Sequence, residues 1–384
     1  MREAIFFMAL ASANSGIALR IVEPLLPRLA SDFGTTAAAA SVVITAFGLA
    51  SAIGALLHGP LGDRYGKLRM ATFAMAGAGA GSVACAFAPD LASLAALRFV
   101  TALFGSASVT LGMAYIGDRV PLAERQPVVA RFIAGTITGQ ALGPFFGGLL
   151  TDLLGWRATF VLLGGVFAAV AAILFLRTRA QWHEDGGSGR GGNPFTAHAR
   201  LLRSKVVRYV LATALADSFL FFGAYSFLGA FLKLRYDLSL TLIGTILAGF
   251  GIGGVLYTLV VGSLLRWLGQ RGLVSWGGAI CGMAFVAIVL TPAWGPALFY
   301  TIVLGFSFYM LHNTVQIKAT EMAPQARGAA VAIYASVWAL GQALGVAAMG
   351  AAISLAGYAP AIIAFGLCFA ALGWWMRGNL ARLS

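Results

Sequence analysis

Apolar stretches of roughly twenty residues recur along the whole chain, separated by short gaps that hold most of the charge. Each stretch is long enough to cross a hydrocarbon layer of about 30 Å. Apolar and polar residues alternate only weakly, which argues against a membrane barrel. Without water, backbone polar groups must pair inside each segment, so the crossings are expected to be helices. The pattern predicts twelve spans, near residues 4–30, 37–58, 70–88, 91–116, 127–150, 158–176, 207–232, 239–262, 272–291, 295–318, 328–353 and 356–376. The first run leads straight into Pro24 and Pro27 with no small-residue cleavage site, so it reads as a retained span rather than a signal peptide. The longest gap holds GGSGRGG (186–192), a flexible linker by composition, at the middle of the chain.

Composition agrees with this reading. The 384 residues are 60% hydrophobic and only 10% charged, against about 25% charged in a soluble domain. A net charge of +13 could suggest nucleic acid, but the basic residues sit in the inter-span gaps, where topology charges belong. The odd-numbered gaps and the span ends beside them hold only Arg28, Arg157, Lys233 and Arg235, and Arg20 and Arg98 lie within spans. The remaining basic residues fall in the even-numbered gaps, at the span ends beside them and at the termini, for example Arg64, Lys67, Arg69, Arg119, Arg125, Arg200, Arg203, Lys205 and Arg208. That bias places both termini and the linker in the cytoplasm of a multi-pass cell (inner) membrane protein. Cys85, Cys281 and Cys368 are isolated in apolar runs, without metal or disulfide spacing.

The two halves resemble each other. GQALG at 139–143 recurs at 341–345, Gly59 and Gly66 recur as Gly262 and Gly269, and VPLAER (120–125) stands where MAPQAR (322–327) stands in the second half. The nearly constant offset of 202–203 predicts an all-α membrane fold of two pseudo-symmetric six-helix bundles: residues 1–178, a cytoplasmic linker 179–205, and residues 206–384. In transporters so built, the substrate site lies at mid-membrane between the halves.

The gap after the second span reads GPLGDRYGKLR (59–69) and resembles the signature loop of the major facilitator superfamily, matching at Gly59, Leu61, Asp63, Arg64, Gly66 and Lys67; Leu68 replaces a usual basic residue. Glycines allow a tight turn there, and Asp63 is placed to meet a helix N-terminus or a neighbouring arginine such as Arg119. The resemblance implies a cytoplasmic gating loop. In the fifth span GTITGQALGPFFGGLL (135–150) is similar to the antiporter motif of the superfamily's export branches, through Gly135, Gly139, Gly143, Pro144, Gly147 and Gly148. Small residues four apart permit close helix approach, and Gly143–Pro144 adds a bend. The eleventh span keeps GQALG but has Val346 in place of the proline. GWRATF (155–160) also resembles this superfamily, and Arg98 matches its buried arginine of the fourth span, with Ala102 where glycine is usual. The resemblance implies a drug:proton antiporter of twelve spans that needs no cofactor beyond a proton gradient. Its partners would be protons, the lipid bilayer and a small-molecule substrate, with the chain acting as a monomer.

Ionisable groups inside spans are functional candidates because they are expensive there. Asp217 stands near the middle of the seventh span, with Phe221, Ala224, Tyr225 and Leu228 at helical spacing on its face. A carboxyl there can load a proton or attract a cationic solute that aromatic rings would also hold. The repeat sets it opposite Asn14, so both are expected to line a central cavity. Glu23 lies nearer the outer end of span one, one turn from Arg20, with Arg98 at similar depth in span four. Two arginines competing for one carboxylate would make a protonation switch; a static ion pair is the other reading. His312, Asn313 and Gln316 either line the cavity or bond between helices.

These features favour secondary active export of amphipathic molecules or drugs. Sugar or metabolite efflux is the alternative, but the aromatic content of spans seven and ten (Phe219, Phe222, Phe227; Phe306, Phe308, Tyr309) favours apolar solutes. A lipid-modifying enzyme would need clustered carboxylates, and the 13 acids are scattered. No phosphate-binding loop is present for ATP drive, and short loops argue against a receptor. Reporter enzymes fused to either terminus are expected to be active only as cytoplasmic reporters; a periplasmic signal from either one would overturn the orientation.

Overall fold

The computed structural model describes residues 2–182, 200–323 and 327–383, and the Gly-rich stretch 186–192 lies outside them. Among the described residues every regular element is helical. In chain order they are α1 (Arg2–Arg20), α2 (Leu26–Asp32), α3 (Ala37–Ala40), α4 (Val42–Tyr65), α5 (Lys67–Cys85), α6 (Leu91–Gly105), α7 (Ala107–Arg119) and α8 (Leu122–Thr178). Then follow α9 (Lys205–Tyr225), α10 (Leu228–Tyr236), α11 (Leu240–Leu290), α12 (Ala297–Glu321), α13 (Arg327–Ala356) and α14 (Tyr358–Asn379). Nine helical segments among the described residues are long and apolar enough to cross a membrane, and two of them, Pro127–Gln181 and Leu240–Leu290, run to 55 and 51 residues.

Those two are not single rods. Gly155 (φ 83°) interrupts α8 and Gly269 (φ 62°) interrupts α11 with non-helical backbone. Only glycine enters this region without strain. The positive-φ residues are Gly34, Gly66, Gly155, Asp237, Gly269 and Gly357. They form three pairs at the offset read from the sequence: Gly34 with Asp237, Gly66 with Gly269, Gly155 with Gly357. The repeat is therefore written in the backbone as well as in the residues.

The first span differs from the continuous helix expected over 4–30. α1 ends at Arg20, a 3-10 turn covers Glu23–Leu25, and α2 resumes at Leu26. Pro24 and Pro27 supply no N–H, so the ladder cannot run through them. The chain also breaks between α9 and α10, at Ser226 and Phe227. The two breaks meet: Ser226 of one lies within hydrogen-bond distance of Glu23 of the other.

Glycine sets the helix contacts. A Cβ added at Gly135, Gly139, Gly143 or Gly147 of α8 would run into the carbonyls of Ala9, Ala13, Ile17 and Ile21 respectively. One small-residue stripe thus lies along the carbonyl stripe of α1 and its exit. In the second half Gly341 and Gly345 of α13 lie against Leu215 and Phe219 of α9 in the same way. Gly79 meets Gly164, and their copies Gly282 and Gly366 meet each other. Between the halves, α8 packs on α11 and α4 on α13. Gly148 abuts Leu240, Pro144 abuts Gly244, and Ala141 abuts Gly251. The bend at Pro144 is thus in contact with the opposite half.

One end of this interface carries polar locks. The Asp152 carboxylate of α8 accepts from the Thr241 backbone N–H and hydroxyl, each at 2.7 Å, and from the Leu240 N–H at 3.3 Å. It caps the N-terminus of α11 from the other half, where the helix dipole favours negative charge. Gly139→Val is expected to lower the melting temperature of the solubilised protein, with overpacking of roughly 1–3 kcal/mol. Gly165→Val, at a position with open space around it, should leave it within experimental error; equal effects would refute the close-contact role.

Candidate functional site

Two buried acid–base clusters lie within the bundle. The first is built on the two helix breaks. Glu23 has no exposed surface and Arg20 keeps 3%. Arg20 Nη1 donates to Glu23 Oε1 at 2.8 Å. The same oxygen accepts from the Ser226 hydroxyl at 3.2 Å, across from the break between α9 and α10. Arg20 Nη2 donates to Gln342 Oε1 of α13 at 2.9 Å, and the guanidinium lies 3.8 Å from the Phe222 ring centroid. One ion pair of the first half is therefore held by three side chains of the second. Glu23 Oε2 has no partner.

Arg98 does not join it. Its Nη2 donates to the Ala18 carbonyl at 2.9 Å, and the group sits 4.0 Å from the Phe47 ring centroid and 5.7 Å from that of Phe160. Arg98 is fully buried, and its Nε and Nη1 have no partner. The expected competition between two arginines for Glu23 is corrected on this point: α6 delivers the guanidinium to the backbone of α1, where the aromatic faces hold it by cation–π attraction.

The second cluster joins α9 to α12. His312 Nδ1 lies 2.6 Å from Asp217 Oδ2, with Asp217 fully buried and the His312 side chain 8% exposed. Asp217 Oδ1 has no partner, nor do the Tyr334 hydroxyl and Trp338 Nε1. Phe308 stacks on His312 at 4.8 Å between centroids, and Trp338 lies at 5.3 Å. Trp338 in turn touches Phe222 at 5.4 Å, the ring under Arg20. A continuous run of rings thus connects the two clusters.

The other candidates divide. Asn14 is buried and neither side-chain atom has a partner. Phe221 is fully buried among Phe222, Tyr225, Phe250, Phe285, Phe308 and Phe369, and the Tyr225 hydroxyl donates to the Leu247 carbonyl at 2.7 Å. Large rings gain most where other rings surround them. Asn313 is half-buried and bonds the Tyr257 side chain, whereas Gln316 is exposed. The expected gating loop is helical up to Tyr65: at the C-terminal end of α4, Asp63 takes Lys67, the first residue of α5, as its partner at 2.9 Å, and Lys67 reaches Asp118 at 2.7 Å. Burial opposes the charge on Lys67, but the two carboxylates outweigh it and hold its pKa above the ordinary lysine value. Gly66 turns there at φ 91°, Gly59 has open space around it, and Arg64 lies over the Tyr65 ring at 5.1 Å. Ser226, Gln342, Asp152 and Trp338 were not singled out as site residues; for Ser226 the signal was available, since it stands 203 residues after Glu23.

The helical membrane fold, its internal offset and its buried charge pairs define a transporter. The chain belongs to the Major Facilitator Superfamily, whose model matches residues 8–346. It is 28% identical over 362 residues to an uncharacterized MFS-type transporter, YwfA, of Bacillus subtilis (strain 168), covering 92% of this chain and 85% of that one. It is 27% identical to a gallate transporter of Pseudomonas putida, over 71% of this chain and 67% of that one. Its fold matches that of a bacterial homologue of the human lysosomal transporter Spinster, in an inward-facing and unoccupied conformation, with a TM-score of 0.77, 17% identity and coverage of 100% and 98%. It is a multi-pass membrane protein of a transporter family, not an enzyme.

Removing one member of the Arg20–Glu23 pair leaves the other buried and unpaired, an effect of about 3–5 kcal/mol. Arg20→Gln and Glu23→Gln are each expected to destabilise the solubilised protein on that scale. The double variant should lose clearly less than the two losses added. Additive losses would show that the pair is not coupled.

Proposed function

We propose that the protein is a proton-coupled antiporter that exports amphipathic small molecules by alternating access. It would do so with twelve spans in two six-helix halves, as a monomer in the cell (inner) membrane with both termini cytoplasmic. The observation that carries this reading is the buried Glu23–Arg20 pair held by Ser226, Gln342 and Phe222 of the other half. An ionised carboxylate keeps Arg20 in place and the halves together. Protonation of Glu23 removes that attraction, so Arg20 loses its anchor and the contacts to Gln342 and Ser226 weaken. Charge on one group is thereby coupled to separation of the halves, as alternating access requires. With the orientation set by the basic residues, the Asp152–Thr241 lock and this pair lie toward the outer side, so the closed end faces outward. The glycine stripe and bend of α8, bearing on both α1 and α11, supply the surfaces over which the halves would rock. The Lys67 junction with Asp63 and Asp118 would serve as the cytoplasmic gate of the resemblance. Export rests on the α8 motif, and an amphipathic solute on the aromatic rings beside Asp217.

A second reading is favoured by the similarity to a gallate transporter: movement of a small aromatic acid, whose ring would suit the same aromatic surroundings. Ethidium uptake into inverted vesicles, driven by an imposed proton gradient, separates the two. Gradient-dependent ethidium movement that falls at least tenfold in Glu23→Gln supports the antiporter. Gradient-driven transport of gallate with no ethidium movement supports the second reading. Undiminished transport in both Glu23→Gln and Asp217→Asn would remove proton coupling from these residues.

A further inference from the structure

Asp217 is sealed. It has no exposed surface, its Oδ1 meets no partner, and its Oδ2 is covered by His312 Nδ1 at 2.6 Å. No lysine or arginine among the described residues pairs with it. The titratable groups beside the pair are Tyr334 from α13, Cys281 from α11 and Tyr309 from α12 itself. These are ordinarily neutral at physiological pH. Lys318, two turns along α12, is paired with Glu321, and α14 contributes Phe369 behind Phe308. His312 is the basic side chain seen against this carboxylate among the described residues, at a depth where an unbalanced charge is expensive.

We propose that His312 is the proton relay of Asp217, the two side chains forming one proton-binding site in the second half, separate from Glu23. The assignment rests on the proton-coupled reading above. The 2.6 Å contact holds with either count of protons. With one proton, Nδ1–H donates to the carboxylate and the pair carries one negative charge. A second proton bonds to Nε2. The Nδ1–H bond then breaks as Oδ2–H forms, Nδ1 accepts in turn, and the pair is neutral. The hydrogen bond survives both states with its direction reversed. His312 is the member with exposed surface, 8% of its side chain against none for Asp217, so a proton from water reaches the acid through the imidazole. Stacking on Phe308 and contact with Trp338 fix the ring plane for this transfer. A purely packed histidine would need none of this geometry.

Infrared difference spectra of the full chain in lipid, taken on moving from alkaline to acid pH, test the relay without any transport measurement. The carboxyl and imidazole bands of the pair are expected to vanish together in Asp217→Asn and in His312→Gln, and the double variant should lose nothing further. Glu23→Gln should remove a different carboxyl band and leave the pair intact; its persistence in the His312 and Asp217 variants also shows that they fold. If His312→Gln leaves the Asp217 carboxyl band unchanged, or if the two variants remove separate bands that add, the relay is refuted. Because the readout is proton binding, a failure here is distinct from a failure of ethidium export. Should transport prove not to be proton-driven while the paired bands remain, the proton site stands and only its use in coupling falls.

Discussion

Helices inside a bilayer gain nothing from leaving water together, since lipid tails are as apolar as their own side chains. What holds this bundle is contact, and contact is set by where side chains are missing. The stripe Gly135, Gly139, Gly143 and Gly147 lets α8 lie directly on the carbonyls of α1. That closeness decides the rest. It fixes the depth at which α1 ends, and so where Arg20 and Glu23 emerge. It also turns the other face of α8, through Pro144 and Gly148, against α11. Had α8 carried larger residues, the ion pair would stand off from Ser226 and Gln342 and lose the hydrogen bonds that the other half supplies to it in a buried site.

The two charged clusters use the bundle differently. Glu23 and Arg20 sit where helices are broken and are shared between halves, so their energy depends on the relative position of the halves. Asp217 and His312 belong to two helices of one half, so the contact between them does not require the two halves to meet. The proposed antiport would use both kinds of contact. The run of rings from Phe222 through Trp338 to His312 keeps them in van der Waals continuity, and a shift of Arg20 on its ring would be felt as repacking rather than as charge.

Much of the fold could be read from the residues. Gly66, Gly155 and Gly269 stand in gaps between predicted spans, and Gly357 falls just inside the predicted twelfth span; a turn imposes a local backbone conformation that a single residue type satisfies. The glycine spacing of α8 was legible for the same reason: helical neighbours four apart form a stripe whatever lies opposite. The partners were not legible. Asp217 and His312 are 95 residues apart, and periodicity places each on a helix face without saying which faces meet. Arg98 showed the limit most clearly, since depth alone brought it level with Glu23 while its azimuth sends it to the Ala18 carbonyl. Phe221 and Tyr225 share a face with Asp217, and that face meets other rings and the Leu247 carbonyl, partners that periodicity does not name.

Glu23 and Ser226 stand 203 residues apart and touch. On the two-half architecture proposed here they are two copies of one position, and copies related by a twofold rotation can meet only on the axis itself. That place admits no duplication. If both copies kept the carboxylate, two like charges would face each other at hydrogen-bond distance in a medium of low dielectric; if both kept the hydroxyl, Arg20 would have no counter-charge. Divergence of the two halves at this point is therefore forced by geometry, and the asymmetry of the chemistry follows from the symmetry of the fold.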